Sequence, residues 1–275
     1  MTLKIHDPAK SLDMNSTLVR GSQPTHRLIT PKVLMKNTPN RKAPSVSEIL
    51  YGETLTILDS EDGWSKIACE RDGYVGWVQT ESLSECNTKH DTYYYISAPV
   101  THIYRKASLK SDPLQPLYMT SIISITGGEE NGFYPVEGGG WVYARHMLSE
   151  PALLLNPVDV AQRLIGSAYL WGGRSYEGLD CSGLVQLALF MSGFSVLRDS
   201  GMQFSSIGKL LKTGEQPVRG DLAFFPGHVG LMLDNRNILH ANATNMAVTA
   251  DPLEDVISWV AEETDKPPFL GYRRF

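Results

Sequence analysis

Three residues in the second half of the 275-residue chain are of the types that nucleophilic catalysis uses: Cys181, His228 and His240. Cys181 stands in Gly178-Leu179-Asp180-Cys181-Ser182-Gly183, at the entry of an apolar run from Leu184 to Met191 broken only by Gln186. A run apolar on all sides predicts a buried helix. The positive end of that helix is expected to stabilise a thiolate and lower the thiol pKa. Such a thiolate is a working nucleophile when a histidine reaches it and a third group orients that histidine. His228 opens a strand-like run after Pro226-Gly227, and His240 ends the next one. The intervening loop decides whether they meet. A three-residue loop, Asp234-Asn235-Arg236, pairs Leu233 with Asn237 and Gly230 with His240. Both imidazoles then share one face, with Gly230 leaving room between them. A two-residue loop puts them on opposite faces. With the odd loop, His228 takes the thiol proton and His240 holds its other ring nitrogen. A neutral imidazole at position 240 supplies no countercharge to an imidazolium, so its electrostatic contribution is expected to be weaker than a carboxylate's. Cys69, on an apolar strand pattern, and Cys86, in a loop, read as small structural residues.

The elements that must carry these residues follow from the punctuation. Asn156 before Pro157 is an N-cap and first-turn pair for a helix over 158–165, and the buried helix stops at Ser192-Gly193. Strand-like runs follow at 222–225, 228–233 and 237–241, and 271–275 could add an edge strand. Helices followed by an antiparallel sheet make an α+β domain over 150–275. Ahead of it, short alternating runs such as Leu55 to Leu58, Trp64 to Cys69 and Tyr74 to Val78 are separated by turns, which predicts a small all-β barrel. The pattern recurs. Ser121 to Ile125 matches the Leu55 run, Gly132-Phe133 matches Gly63-Trp64, and Gly140-Trp141-Val142 repeats Gly76-Trp77-Val78. A duplicated barrel is the better reading than one of double size. The expected domains are an arm at 1–27, barrels at 28–86 and 87–149, and the α+β domain.

Composition narrows the partners. The 25 Lys and Arg against 30 Asp and Glu give a formal net charge of −5 with no basic run, which speaks against nucleic-acid or anionic-membrane binding. No apolar stretch approaches the ~20 residues a membrane span needs, and no secretory signal is seen at the N-terminus. Three widely spaced cysteines with no CxxC predict neither a disulfide framework nor a Cys-type zinc site. A reduced, cytoplasmic protein without metal or organic cofactor is therefore expected. His6, His26, His90, His102 and His146 are dispersed. Arg219-Gly220-Asp221 and Gly138-Gly139-Gly140 read as turns.

Taken in order, Tyr169-Leu170-Trp171-Gly172-Gly173, Asp180 to Gln186, Arg219-Gly220-Asp221-Leu222, His228-Val229-Gly230 and His240-Ala241 resemble the NlpC/p60 family of papain-like cysteine peptidases. The duplicated barrel resembles two bacterial SH3-like (SH3b) domains, an arrangement similar to γ-D-glutamyl-L-diamino acid endopeptidases. The resemblance implies Cys181 as nucleophile, His228 as base and His240 as third member. It implies an oxyanion site made by the Cys181 N–H with support from the Tyr169 hydroxyl. It also implies a peptidoglycan-derived substrate, L-Ala-γ-D-Glu-diamino acid with a free N-terminus, and the absence of a secretory signal favours its use in murein recycling. Asp180, Ser182 and Ser200 would hold the L-Ala-γ-D-Glu portion, while Tyr74 and either Glu53 or Glu48 would meet the ammonium, which needs a carboxylate once buried. The oligomeric state is open, with a monomer favoured. The rival readings are another amidase or an acyltransferase on the same fold, and a non-catalytic cell-wall-binding protein.

Overall fold

The computed structural model describes residues 24–86, 93–149 and 156–275. Most of the expected arm and the two expected boundaries at 87 and 150 lie outside the described residues. The last arm residues are strand: His26–Leu28 pairs with both Leu83–Glu85 and Thr54–Glu61.

The first strand-rich unit is a seven-stranded antiparallel sheet around Leu28, Met35, Ile49, Leu55, Ile67 and Val78. Its central hairpin, Thr54–Glu61 with Trp64–Cys69, turns on Asp62 and Gly63, both at positive φ. That conformation matches the twist of paired strands. The second unit has a four-stranded and a three-stranded sheet around Ile96, Ile103, Leu117, Ile123, Val136 and Val142. It repeats the first in detail. Strand Val75–Gln79 leads through a 3-10 turn, Thr80–Ser82, into Leu83–Glu85, as Trp141–Tyr143 leads through Ala144–His146 into Met147–Leu148. The Asp62-Gly63 turn recurs as Asn131-Gly132. The bonds Gly52 N–H to Leu28 C=O and Glu53 N–H to Leu50 C=O recur as Thr120 N–H to Ile96 C=O and Ser121 N–H to Tyr118 C=O.

The two units are joined by the Ile122 N–H bonding the Tyr51 carbonyl and by a bidentate Arg27–Glu137 pair. Gly52 makes this approach possible. It sits at φ +75°, and a Cβ there would come within 1.9 Å of the Ile122 carbonyl oxygen.

Among the described residues the C-terminal domain has four helices: α1 (Pro157–Gln162), α2 (Cys181–Met191), α3 (Ser200–Ser206) and α4 (Leu253–Glu263). Its six-stranded antiparallel sheet runs Lys209–Leu210, Gly271–Arg274, Leu222–Phe225, His228–Met232, Asn237–Asn242, Ala247–Pro252. Period-2 alternation gives it two cores. Leu222, Phe224, Val229, Leu231, Leu239 and Ala241 pack with Leu184, Val185, Leu187, Ala188 and Leu189 of α2. Ala223, Phe225, Met232 and Ile238 pack with Leu253 and Val256 of α4. Strand Gly271–Arg274 is not at the edge as expected; Lys209–Leu210 flanks it, and Arg274 is drawn in by a bidentate pair with buried Asp221. Asp221 of the Arg-Gly-Asp turn therefore has a structural partner.

Replacing Gly52 by Ala should lower stability by more than about 1 kcal/mol, because it combines left-handed strain with a backbone clash. Denaturant unfolding measures this, and an unchanged midpoint would show that the two units do not rely on the approach.

Candidate functional site

Cys181 is the first residue of α2, whose N-cap Asp180 accepts from the Gly183 N–H at 2.7 Å. The side chain is 7% exposed, and its sulfur lies 4.0 Å from the Gly227 carbonyl. The backbone N–H groups of Val229 and Ser182 lie on the side that favours the thiolate. The nucleophile candidate is thus held against the backbone on both sides of His228. The expected lowering of the thiol pKa is reversed: burial first, and then the Asp180 carboxylate, push it up to about 12 against those two N–H groups and Arg198. A helix terminus acts over one turn, whereas an enclosed cleft penalises the charged form outright.

The loop between the histidine strands has three residues. Leu231 pairs with Leu239 and Met232 with Ile238, and the Leu233 N–H bonds the Asn237 carbonyl. The Asp234 carboxylate fixes this loop by accepting from the Arg236 and Asn237 N–H groups at 2.7 and 2.8 Å. His228 and His240 consequently share a face, with Nε2 of His228 2.7 Å from Nδ1 of His240. Gly230 is what lets them close: a Cβ there would meet Ile238 at 2.6 Å and the His240 Cβ at 2.9 Å. Burial, and then His240, push His228 down to about 3. Burial also lowers His240, opposed by Asp251. Both rings are therefore neutral at pH 7. Because Nε2 of His228 is engaged by His240, Nδ1 is the nitrogen left for the thiol.

His240 itself is a neutral imidazole, and a carboxylate that the sequence did not single out stands behind it. Asp251 Oδ2 lies 3.1 Å from His240 Nε2. Sequence spacing did not reveal Asp251, because its placement needs the register of Ala247–Pro252, where Thr249 pairs with His240 and Asp251 with Ile238.

Tyr169 is half-buried, and its phenol is pushed up by burial and then by the proximity of Cys181 and Asp180. Asp180 is saturated: besides capping α2 it accepts from the Gly172 N–H at 2.9 Å and pairs with buried Arg198 at 2.6 and 2.9 Å. Ser182 Oγ bonds Arg198 at 2.9 Å. Arg198, which the sequence did not single out, also reaches Ser47 of the first strand-rich unit at 3.1 Å. Ser200 opens α3, next to Asp199. Tyr74 donates to Asp199 Oδ2 at 3.5 Å across the domain junction. Burial chiefly holds the Asp199 carboxyl above its usual range, and Arg198 pulls it back.

The two glutamates lie elsewhere. Glu53 is buried with Arg71 at 2.6 Å and Arg174 at 3.0 Å, and also accepts the Leu50 N–H. Burial raises its pKa, yet the two guanidinium groups together hold it below the usual 4.5. Glu48 accepts the Arg174 N–H at 2.9 Å and lies 3.2 Å from Lys32 Nζ. Both carboxylates tie the first unit to the C-terminal domain. Asp199 is instead the half-buried acid that faces Tyr74. A cleft of about 490 Å³ lined by Arg71, Leu189, Phe194, Ile207 and Phe275 contains none of Cys181, His228, His240, Tyr74, Asp199, Glu48 and Glu53. Among the described residues no cluster of three His, Cys, Asp or Glu is arranged for a metal ion, and no helix is long and apolar enough to cross a membrane.

Residues 166–262, which hold every member of the Cys181–His228–His240 set, match the NlpC/P60 family. The C-terminal domain is an NlpC/P60 domain. Residues 35–83 match the bacterial dipeptidyl-peptidase SH3 domain, so an SH3 domain precedes it. The chain is 26% identical over 242 residues to dipeptidyl-peptidase 6 of Lysinibacillus sphaericus, covering 79% of this chain and 87% of that protein. It is 27% identical over 235 residues to the γ-D-glutamyl-L-lysine dipeptidyl-peptidase of Bacillus subtilis, covering 77% of each. A crystal structure of an NlpC/P60 family protein from Bacillus cereus superposes with a TM-score of 0.75 at 18% identity, over 91% of this chain and 99% of that one. That structure shares the fold of the NlpC/P60 domain and of what precedes it.

Two substitutions test how the NlpC/P60 site is held. Arg198→Met should cost about 3–5 kcal/mol, since it leaves Asp180 buried without its partner; calorimetry checks this, and a loss under 1 kcal/mol would contradict it. Gly230→Ala should separate the imidazoles, seen as loss of the short His228–His240 contact in a crystal structure of the variant; an unchanged contact would refute the close-approach argument.

Proposed function

We propose that the chain is a cysteine peptidase that hydrolyses the amide between γ-D-Glu and a diamino acid in peptidoglycan-derived peptides bearing a free N-terminal L-Ala. The observation that carries this is the Cys181 sulfur held against the backbone flanking His228, whose far nitrogen is engaged by His240. The name of the Bacillus subtilis relative supports the bond, and both relatives' names and the description of the matching SH3 family support release of a dipeptide.

In this reading the thiol proton passes to His228 Nδ1 as sulfur attacks the γ-carbonyl, so the ion pair forms only during reaction. The oxyanion accepts from the Cys181 N–H, which as a first-turn group has no intrahelical acceptor, with the Tyr169 hydroxyl in support. The imidazolium returns its proton to the leaving diamino-acid nitrogen, giving a γ-thioester of L-Ala-D-Glu on Cys181. Water, deprotonated by His228, then releases the dipeptide and restores the thiol. The substrate ammonium is read by Asp199 with Tyr74, because Asp180, Glu53 and Glu48 are already engaged by arginines, backbone or lysine. Ser182 and Ser200 line the same end. The SH3 domain, through Tyr74 and Ser47, closes that end and favours short released peptides over intact wall. Recycling of such peptides in the cytoplasm fits this. Residues 93–149 are read as a second SH3-like unit, supported by the repeated turn and hydrogen bonds.

Mass spectrometry of L-Ala-γ-D-Glu-L-Lys and its meso-diaminopimelate counterpart, each with and without N-acetylation, tests the proposal. Cleavage of the free-amine peptides, lost in Cys181→Ala, is the expected result; intact peptides with the wild-type enzyme refute it. Asp199→Asn should raise KM about 10- to 100-fold, the loss of one charged hydrogen bond, and an unchanged KM would remove Asp199 from the amine site. A base held near 3 stays unprotonated through the acid range, so the acid limb of kcat/KM set by His228 should fall below the ordinary imidazole value of 6.5. A limb at that value would contradict the neutral pair.

A further inference from the structure

We propose that Asp251 is a positioning residue that acts through His240: its carboxylate fixes the tautomers of both imidazoles so that His228 presents a lone pair, not a proton, at Nδ1. The proposal rests on the cysteine peptidase reading and adds a fourth group to it.

The geometry leaves little freedom. Oδ2 of Asp251 faces Nε2 of His240 at 3.1 Å, and His240 itself is 1% exposed. The same oxygen accepts the Thr249 hydroxyl, whose Oγ1 in turn accepts from Asn242 Nδ2 at 2.7 Å. Asn242 is oriented independently, since its Oδ1 accepts the Asn245 N–H at 2.7 Å. Every donor in this chain therefore points toward the carboxylate. One group competes: Asn242 Nδ2 also lies 3.2 Å from His240 Nε2, where an amide donor would prefer a bare nitrogen. The carboxylate prevails because it is charged, and one amide hydrogen is already taken by Thr249.

An ionised carboxylate only accepts, so His240 carries its proton on Nε2 and its lone pair on Nδ1. Nδ1 lies 2.7 Å from His228 Nε2, which must then be the donor of that bond. A neutral His228 protonated at Nε2 has its lone pair at Nδ1, the side left for Cys181. Reversing the first choice reverses the second, and His228 would meet the thiol with a proton. The carboxylate also lies one ring beyond His228, where it favours the imidazolium formed when the thiol is deprotonated.

The test compares wild type, Asp251→Asn and Asp251→Glu. Nitrogen-15 shifts of the histidine side chains report the tautomers directly; kcat and KM on the free-amine peptide and the iodoacetamide alkylation rate of Cys181 report the consequence. In wild type both histidines should be protonated at Nε2; His240 protonated at Nδ1 would overturn the proposal without any variant. In Asp251→Asn the carboxamide can donate to His240 Nε2, so both tautomers should reverse, alkylation should slow, and kcat should fall about 100-fold or more with KM little changed. Asp251→Glu should recover part of the loss. Wild-type tautomers and kcat in Asp251→Asn would overturn the proposal. If wild type cleaves no peptide, the peptidase reading fails, while tautomers and alkylation still decide the role of Asp251.

Discussion

The buried pairing of Asp180 with Arg198 is the interaction on which the rest of the site depends. Asp180 caps the helix that begins at Cys181 and bonds the Gly172 N–H, so it fixes Cys181 against the preceding turn. Arg198 carries that fixed point outward to Ser182 and to Ser47 of the SH3 domain. A carboxylate and a guanidinium withdrawn from water cost more than their attraction returns unless their remaining hydrogen-bonding capacity is met. Here it is met by backbone and hydroxyl groups from two domains. Docking the domains and shaping the start of α2 are therefore one event.

Enclosure then determines the chemistry. The same burial that makes the ion pair hold pushes the thiol up and the imidazoles down, so the resting site holds neutral Cys181, His228 and His240. In the proposed reaction charge separates only as the thiol proton moves. The groups able to receive that charge are in place beforehand: N–H groups at the start of α2 on one side, and His240 with Asp251 on the other. Preorganisation of this kind costs no rearrangement at the moment of reaction.

Much of this was legible in local sequence. The sequence narrowed the loop to two lengths, and the three-residue one, Asp234-Asn235-Arg236, is the one that places His228 and His240 on one face. Asp180 before Cys181 is a cap signal, and Asn156-Pro157 opened α1 as expected. The Trp77 and Trp141 segments showed the duplication because each carries its own turn. What stayed hidden depends on partners distant in sequence. Asp251 reaches His240 from two residues beyond its strand partner Thr249, through the turn after Asn242, whose geometry no residue pattern specified. Arg198 carried no sequence signal because its partners are Asp180, Ser182 and Ser47. Either Glu53 or Glu48 was expected to meet the substrate ammonium, and Arg71, Arg174 and Lys32, all outside their local sequence, engage them instead. The helix-end argument for a lowered thiol pKa used one turn of structure, while the burial that outweighs it comes from the whole domain.

The measurement that tests this account most directly is the ultraviolet absorbance of the Cys181 thiolate as a function of pH, taken as the difference between wild type and Cys181→Ala. The account predicts no thiolate signal from Cys181 at neutral pH, with absorbance rising only in the strongly alkaline range. A thiolate already present at neutral pH in wild type and absent from the variant would contradict it, because the site would then rest as an ion pair and the enclosed, charge-paired junction would not set its chemistry.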